Sequence, residues 1–343
     1  MPVQTVTLTS TVLRGNPLGD PHERQIPIYL PPGYERTDAR YPVVYLLAGF
    51  SGYGKTFLNE AAWDENIPQR LDRLIQAQAI RPMIVVMPDC MTRLGGSQYL
   101  NSSATGRYAD HLVDELVPFV DATYRTLATR DQRVVMGKSS GGYGATVLGM
   151  RHRQVFGLVV DHSGDKYFEL CYKADIPRCV AGLAAYQSSA GEFLRGFPHP
   201  VTDRGPYWFD VVNLLAMASC YSPNPASPTG FDLPFDEETG ELRESVWRRW
   251  LAHDPVEIVV QHTEALRSLR LYFLDCGRRD EHHLQYGARI YVKRLQALGI
   301  PHTYEEFEGG HRNVAHRYDV SLQAVSAALG EPSARRSHPS PSE

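Results

Sequence analysis

The segment that most constrains the fold is residues 134–145, which read VVMGKSSGGYGA. A short apolar run leads into a GxSxG pattern at 137–141, and a helix-compatible segment follows. This order predicts a buried strand that turns sharply at Ser139 into a helix, with glycines on both sides because the helix packs almost against the strand. The Ser139 side chain would then point outward from the turn. The five-letter pattern is weak evidence by itself, so its surroundings have to decide what it means.

Short apolar runs alternate with helix-compatible segments along most of the chain. Residues 3–31 contain extended segments that predict an N-terminal antiparallel edge of a sheet. Later apolar runs predict strands covered on both faces, at 41–47, 83–88, 134–136, 156–160, 269–275 and 302–307. Alternation of this kind predicts an α/β fold with a mostly parallel central sheet and helices on both faces.

Residues 165–255 interrupt this alternation with turn-rich and aromatic stretches. A structureless loop of this length is improbable inside a compact domain, so the stretch is predicted to be a partly helical cap inserted over the carboxyl edge of the sheet. The predicted domain spans 1–329 with the cap at about 165–255. Residues 330–343 are rich in Ser, Pro and Arg and are predicted to be disordered.

Composition excludes several classes of partner. The chain has 343 residues, of which 43% are hydrophobic and 22% charged, with a net charge of -4. Nucleic acid and anionic membranes favour a basic face, so neither is an expected partner. The N-terminal residues lack a secretion-signal pattern and no run of about 18 apolar residues occurs, which predicts a cytoplasmic protein.

The residue types that bind metals are not arranged as a metal site. Adjacent residues on a helix point about 100° apart, so His282 and His283 are a poor pair of ligands for one ion. Five scattered cysteines form no CxxC pair and leave one over, which predicts reduced structural thiols; they are Cys90, Cys171, Cys179, Cys220 and Cys276. We therefore expect no metal and no cofactor.

A second motif competes with the serine motif. Residues 49–56 read GFSGYGKT and match the phosphate-binding pattern GxxxxGK[ST] directly after a predicted strand. Residues 83–89 read MIVVMPD and resemble the apolar run that ends in a magnesium-binding aspartate. A P-loop nucleotide-binding protein is therefore an alternative interpretation.

Three separated side chains complete the serine interpretation. An alkoxide nucleophile needs a base, a carboxylate that orients the base, and backbone N–H groups for the oxyanion. Ser139, Asp280 and His311 each follow a predicted strand, in the chain order that α/β-hydrolases use. The carboxyl ends of parallel strands meet at one edge of a sheet, where we expect all three. Glu281 is the alternative carboxylate.

Several motifs resemble those of the esterase D or putative esterase branch of α/β-hydrolases. They are 28–34 IYLPPGY, 41–47 YPVVYLL, 115–121 ELVPFVD, 137–145 GKSSGGYGA and 309–311 GGH. The branch includes S-formylglutathione hydrolases, feruloyl esterases and mycolyltransferases. The resemblance runs from 25 to about 318, the cap excepted, and implies an α/β-hydrolase fold and a serine carboxylesterase without a cofactor.

The resemblance also assigns roles. It implies that Ser139 is the nucleophile, with His311 as base and acid and Asp280 as the orienting carboxylate. The N–H groups of Phe50 and Ser140 would form the oxyanion hole, which gives the glycine-rich loop at 49–56 a reason other than phosphate binding. Members act on small-molecule esters and are often homo-oligomers. An acyltransferase or an amide hydrolase with the same triad is an alternative.

Three further residues are candidates to line the substrate pocket. They are Asn101, Ser163 and Trp208.

Overall fold

The central element is an eight-stranded sheet in a computed structural model that describes residues 3–330. Its strands are β1 (Val3–Thr9), β2 (Glu23–Tyr29), β3 (Val43–Leu47), β4 (Ile84–Val86), β5 (Arg133–Lys138), β6 (Leu158–His162), β7 (Leu271–Gly277) and β8 (Thr303–Phe307). Their spatial order is β1-β2-β4-β3-β5-β6-β7-β8. β2 is antiparallel to both of its neighbours, and β3 to β8 are parallel to one another. The predicted mostly parallel sheet with an N-terminal antiparallel edge is confirmed.

Thirteen α-helices accompany the sheet within residues 3–330. They are α1 (Ile67–Gln76), α2 (Tyr108–Asp110), α3 (Val117–Thr123), α4 (Ser140–Arg151), α5 (Phe168–Cys171), α6 (Ile176–Leu183), α7 (Ala190–Arg195), α8 (Trp208–Tyr221), α9 (Glu244–Leu251), α10 (Pro255–Ile258), α11 (Thr263–Arg267), α12 (Leu284–Ala297) and α13 (Arg317–Gly330). Asn66 starts α1 with a capping box, because its side chain accepts the N–H of Gln69, whose own side chain accepts the N–H of Asn66.

The two faces of the sheet carry separate apolar cores. Alternate residues of a strand point to opposite faces. Val44 and Leu46 of β3 therefore pack with α1 and α13, whereas Tyr45 and Leu47 pack with α3, α4 and α12. All four side chains are at most 2% exposed, as a strand covered on both sides requires.

The segment between α2 and α3 anchors the N-terminal turn of the chain. It is a π-helix, His111–Leu116, and its Glu115 points at residues 10–12. The Glu115 carboxylate accepts hydrogen bonds from the hydroxyls of Ser10 and Thr11 and from the N–H groups of Thr11 and Val12, at 2.5 to 3.1 Å. These contacts fix the connection between β1 and β2.

Between β6 and β7 the chain forms α5 to α11. Many of its large apolar side chains form one cluster, which contains Phe168, Phe193, Trp247 and Trp250. Residues 165–255, where we predicted the cap, contain α5 to α9; its role as a cover of the active site stays a prediction. Of the predicted C-terminal tail, residues 331–343 lie outside the described residues.

Candidate active site

Ser139 occupies a strained turn between β5 and α4. Its backbone has φ 59° and ψ -126°, a conformation that residues other than glycine rarely adopt. A Cβ atom on Gly137 would lie 2.5 Å from the carbonyl carbon of Gly141, and one on Gly141 would lie 2.3 Å from the carbonyl oxygen of Leu47. Glycine at both positions therefore allows α4 to start directly against β3 and β5, with Ser139 at the carboxyl end of the strand.

Two backbone N–H groups beside Ser139 are available to an anion. The N–H groups of Phe50 and Ser140 have no acceptor among residues 3–330, and both residues line the cavity beside Ser139. The carbonyl of Phe50 accepts the N–H of Gly96 at 2.7 Å. That bond fixes the position of Phe50 in the loop that follows β3. Ser140 is fixed separately, because it is the first residue of α4. The arrangement has the features of an oxyanion hole.

His311 and Asp280 form a buried pair beyond β8 and β7. Nδ1 of His311 lies 2.8 Å from Oδ2 of Asp280, and Oδ1 of Asp280 accepts the N–H of His282 at 3.0 Å. Burial disfavours the charged form of Asp280, but the hydrogen bond and charge of His311 outweigh burial and lower the pKa of the carboxyl. Because Nδ1 faces the carboxylate, Nε2 is the ring nitrogen left to exchange a proton.

Glu281, the alternative carboxylate, has a different position. Its Oε2 accepts the backbone N–H of His311 at 2.5 Å, and its carboxylate lies so close to Gly310 that a Cβ atom there would meet Oε1 at 2.6 Å. The bond to the His311 N–H lowers the pKa of Glu281. Asp280 therefore contacts the imidazole, while Glu281 holds the loop that carries it.

His282 packs against the pair and also lines the cavity beside Ser139. Its ring packs edge to face on the ring of His311, with centroids 4.8 Å apart. Burial lowers the pKa of His282, and repulsion from His311 when that imidazole is protonated lowers it further, so His282 favours its neutral form. His282 and Ser139 line the same cavity. Its neighbour His283 packs on Tyr286 instead, so the two imidazoles point apart.

The cavity beside Ser139 has an aromatic wall that sequence reasoning missed. Phe209 lines it and packs edge to face on Phe50, with ring centroids 5.8 Å apart. Asn213 lies four residues later on the same face of α8 and also lines the cavity. A second cavity shares Phe209, Asn213 and His282 with the first and extends to Arg312, next to His311.

The three predicted pocket residues lie elsewhere. Asn101 is exposed in a small hairpin, where its amide donates to Asp110 at 2.7 Å. Trp208 packs flat on Phe197 and donates from Nε1 to His199 at 3.0 Å. Because adjacent helical residues point about 100° apart, Phe209 and not Trp208 reaches the cavity.

Ser163, the remaining pocket candidate, is 3% exposed, and its hydroxyl is buried. It does not line the cavity beside Ser139.

The phosphate-binding motif at 49–56 has the wrong structure for a P-loop. In a P-loop the lysine and the following Ser/Thr open a helix whose N-terminus holds phosphate. Here residues Gly54–Leu58 form one short 3-10 helix, and α1 starts only at Ile67. Lys55 donates to the side chain of Gln25 on β2, and the Thr56 hydroxyl donates to the carbonyl of Tyr53. Both side chains thus have partners within the protein.

A buried cluster of a serine, a histidine and an aspartate lies inside the protein and was not predicted. Nδ1 of His162 lies 2.7 Å from Oδ1 of Asp275, and its Nε2 lies 2.9 Å from the hydroxyl of Ser321. Arg317 donates to the other oxygen of Asp275 at 2.7 Å. His162, Asp275 and Ser321 are each at most 2% exposed. The cluster ties α13 to β6 and β7, and its burial leaves no path for a substrate.

The remaining sequence predictions concern thiols, metals and membranes. All five cysteines are buried and unpaired, as predicted. Within residues 3–330, no group of three or more His, Cys, Asp or Glu side chains has a metal-binding arrangement. A search of the same residues finds no helix with the length and apolar character needed to cross a bilayer.

Comparison with known protein families places the chain in one of them. The family model described as "Putative esterase" matches residues 21–328. The chain belongs to the putative esterase family. This confirms the resemblance read from the motifs and makes the chain a member of an esterase family.

Curated relatives of this putative esterase are longer proteins. Over 317 residues it is 31% identical to Esterase Rv1288 of Mycobacterium tuberculosis, an alignment that covers 88% of this chain and 55% of the relative. Over 146 residues it is 32% identical to an endo-1,4-beta-xylanase/feruloyl esterase of Xylanibacter ruminicola, covering 41% and 19% of the two chains. The chain thus spans about half or less of the length of these relatives.

Solved structures show the fold. A ferulic acid esterase superposes with a TM-score of 0.61 at 22% identity, covering 95% of this chain and 98% of the other. The S-formylglutathione hydrolase FrmB of Staphylococcus aureus superposes with a TM-score of 0.57 at 14% identity, with the same coverage. The putative esterase therefore has the α/β-hydrolase fold, as predicted.

Proposed function

We propose that this chain is a serine carboxylesterase that acts on small-molecule esters through an acyl-enzyme on Ser139. The observation that carries the proposal is the backbone of Ser139, with φ 59° and ψ -126° at the end of β5. Such strain persists where the surrounding structure imposes it, and it is concentrated at functional sites. Membership of an esterase family supports the same activity.

Each step uses a group that the structure describes. The Ser139 hydroxyl attacks the ester carbonyl carbon and gives its proton to Nε2 of His311, while Asp280 stabilises the imidazolium. The N–H groups of Phe50 and Ser140 bind the oxyanion. The bond to the alcohol then breaks, and His311 returns the proton to the leaving oxygen. Water then attacks the acyl carbon and gives its proton to His311; the bond from that carbon to the Ser139 oxygen breaks, His311 returns the proton to this oxygen, and the acid is released.

Covalent labelling tests the proposal directly. A fluorophosphonate forms a bond from phosphorus to the Ser139 oxygen with loss of fluoride, so we expect one label per active chain and loss of p-nitrophenyl acetate hydrolysis. Ser139→Ala should neither label nor hydrolyse, and Ser245→Ala, at an exposed position, should do both. A wild-type protein that neither labels at Ser139 nor hydrolyses the ester would refute the assignment.

Two finer expectations belong with this proposal. We propose that the protein acts in the cytoplasm, which the five buried, unpaired thiols support because a reducing compartment preserves them. We also propose a homo-oligomer, as the family resemblance implies; light scattering of the purified protein would give the number of copies.

A further inference from the structure

The cavity beside Ser139 contains a carboxylate that the proposed triad does not use. Asp165 lines this cavity, and only 7% of the residue is exposed. Its Oδ2 accepts hydrogen bonds from the hydroxyl of Tyr172 at 2.7 Å and from the amide nitrogen of Gln98 at 3.1 Å. Its Oδ1 receives no hydrogen bond within residues 3–330. A buried carboxylate oxygen without a donor costs free energy, so Oδ1 needs a partner that these residues do not supply.

The chain around Asp165 is held in place on both sides. Asp165 comes shortly after β6, and the last carbonyl of that strand accepts the N–H of Ser139 at 2.9 Å. The N–H of Gly164 donates to Oδ1 of Asp161 at 2.8 Å, and Nζ of Lys166 donates to Oδ2 of Asp161 at 2.6 Å. Asp161 and Lys166 are at most 2% exposed. The carboxylate of Asp165 is therefore fixed at the carboxyl end of the sheet, close to the proposed nucleophile.

The cavity has the size and the lining of a water site. Its volume is about 50 Å³, whereas a buried water needs about 10–15 Å³ of free space and two to four polar partners. Besides Asp165, the lining includes the side-chain amide of Asn213 and the ring of His282, and neither of these forms a hydrogen bond in the part of the chain that the structure describes. A few water molecules therefore fit this space and satisfy its polar groups.

Water differs from an alcohol by its second proton. When the acyl-enzyme is cleaved, the attacking oxygen gives one proton to Nε2 of His311. A water molecule keeps an O–H bond that can donate to Oδ1 of Asp165, whereas an alcohol has a carbon atom in its place and leaves Oδ1 without a donor. Burial raises the pKa of Asp165, and the charge of His311 is among the influences that oppose this rise, as expected of two groups that face the same space.

We propose that Asp165 binds the water molecule that releases the acyl group, and that it thereby favours hydrolysis over transfer of the acyl group to an alcohol. The inference rests on the proposed esterase function and concerns its second half. The oxygen of the bound water attacks the acyl carbon, one of its protons goes to His311, and its other O–H bond stays intact and donates to Oδ1 of Asp165. The bond from the acyl carbon to the Ser139 oxygen then breaks, and His311 returns the proton to that oxygen. The retained O–H becomes part of the carboxylic acid.

Asp165→Asn tests this role because it changes one atom and keeps the volume. Tyr172 and Gln98 both donate to the position of Oδ2, so the amide oxygen takes that position and the amide nitrogen takes the place of Oδ1. An acceptor for the water proton is thereby replaced by a donor. Asp165→Ala removes the carboxylate altogether and is the second variant. Asp64→Asn is the matched control, because Asp64 is exposed.

Competition between water and alcohols for the acetyl-enzyme gives the readout. Each variant is given p-nitrophenyl acetate with methanol or with 1-propanol, and acetic acid and acetate ester are quantified after subtraction of the Ser139→Ala background. The wild type should react with either alcohol no faster, mole for mole, than with water. Asp165→Asn should raise the ratio of ester to acid about tenfold with both alcohols, because the lost hydrogen bond to a charged group favoured water alone. The ratio is taken within one variant, so a general loss of activity cancels.

Every outcome bears on the inference. A folded Asp165→Asn with the wild-type ratio would overturn it, as would an equal rise in Asp64→Asn. If circular dichroism shows that Asp165→Asn does not fold, Asp165→Ala replaces it, and a ratio that rises for 1-propanol but not for methanol would show that Asp165 only fills space. A wild type that prefers alcohols to water, mole for mole, would overturn this inference and leave the chemistry of Ser139 standing. A wild type that forms neither product would overturn the esterase proposal as well.

Discussion

The proposed triad of Ser139, His311 and Asp280 and the buried cluster of Ser321, His162 and Asp275 predict opposite consequences for the same substitution, serine to alanine. Ser139→Ala removes the proposed nucleophile at the edge of the sheet, whereas Ser321→Ala removes the partner of His162 inside the protein. We expect the first variant to lose activity and keep its stability. We expect the second to lose stability and keep its activity while folded.

The magnitudes follow from burial and contacts. Ser321 is fully buried and His162 is 2% exposed, so Ser321→Ala leaves Nε2 of His162 without a partner where water does not reach. An unsatisfied buried polar group costs about 1–3 kcal/mol of folding free energy, so we expect a loss of about 2 kcal/mol. Removing a serine nucleophile costs about 10⁴-fold or more in kcat.

Two measurements on each variant distinguish the triad from the cluster. Urea unfolding followed by circular dichroism gives the free energy of unfolding, and p-nitrophenyl acetate hydrolysis gives kcat. Ser245→Ala is the control, because this serine is exposed and should change neither value. The reasoning is refuted if Ser321→Ala abolishes activity in a protein of unchanged stability, or if Ser139→Ala retains wild-type kcat.

Three further predictions follow from contacts near the site and at the N-terminus. Glu281→Ala should lower kcat about fivefold, and Glu281→Gln should lower it less, because the side chain of residue 281 accepts the N–H of His311. Ester hydrolysis at saturating substrate measures the kcat of each variant. Equal losses in the two variants would count against this role. Gly141→Ala should destabilise the fold by about 2 kcal/mol or more, while Gly205→Ala, which has open space around it, should be near neutral in urea unfolding. Hydrogen bonds from the N-terminal turn outweigh burial and lower the pKa of Glu115 to about 2. Its carboxylate therefore stabilises the fold above the unfolded-state pKa of about 4.5, and this contribution is lost as pH falls toward 2. Glu115→Gln should cost about 2 kcal/mol at pH 7 and less than half of that at pH 3, and a difference that does not depend on pH would contradict the prediction.

Local patterns made most of the fold predictable. The apolar runs at 41–47 and 134–136 became β3 and β5 because a strand buried on both faces must be almost entirely apolar. Ser139 and its flanking glycines were predictable for a similar reason, since the close approach of α4 leaves no room for Cβ atoms. The order of Asp280 and His311 after later strands placed them at the same edge, where the structure pairs them.

The cavity lining was harder to predict because it depends on side-chain directions. Trp208 and Phe209 are adjacent aromatic residues, and only the start of α8 decides which of them faces Ser139. Asp165 lines the cavity and accepts a hydrogen bond from Gln98, which lies 67 positions earlier in another connecting segment, and no period in the sequence relates the two residues. The pair Phe209 and Asn213 could have been found, because a spacing of four places both on one helical face.

The glycine-rich motif at 49–56 shows how one pattern fits two functions. Backbone amides that face a phosphate and backbone amides that face an oxyanion both require small residues and a tight turn. What separates them is the next element, which is a short 3-10 helix here, and the partner of Lys55. Neither can be read from the eight letters of the motif.

The rate at which a thiol reagent modifies the five buried cysteines can report local unfolding of the protein. Burial raises the pKa of Cys90 and of Cys171, so a thiol reagent meets neither an accessible nor an ionised sulfur in the closed molecule. Modification then reports how often each region unfolds. Cys171 also borders the cavity beside Ser139, so a molecule bound in that cavity should slow the alkylation of Cys171 relative to that of Cys90 and so report its occupancy.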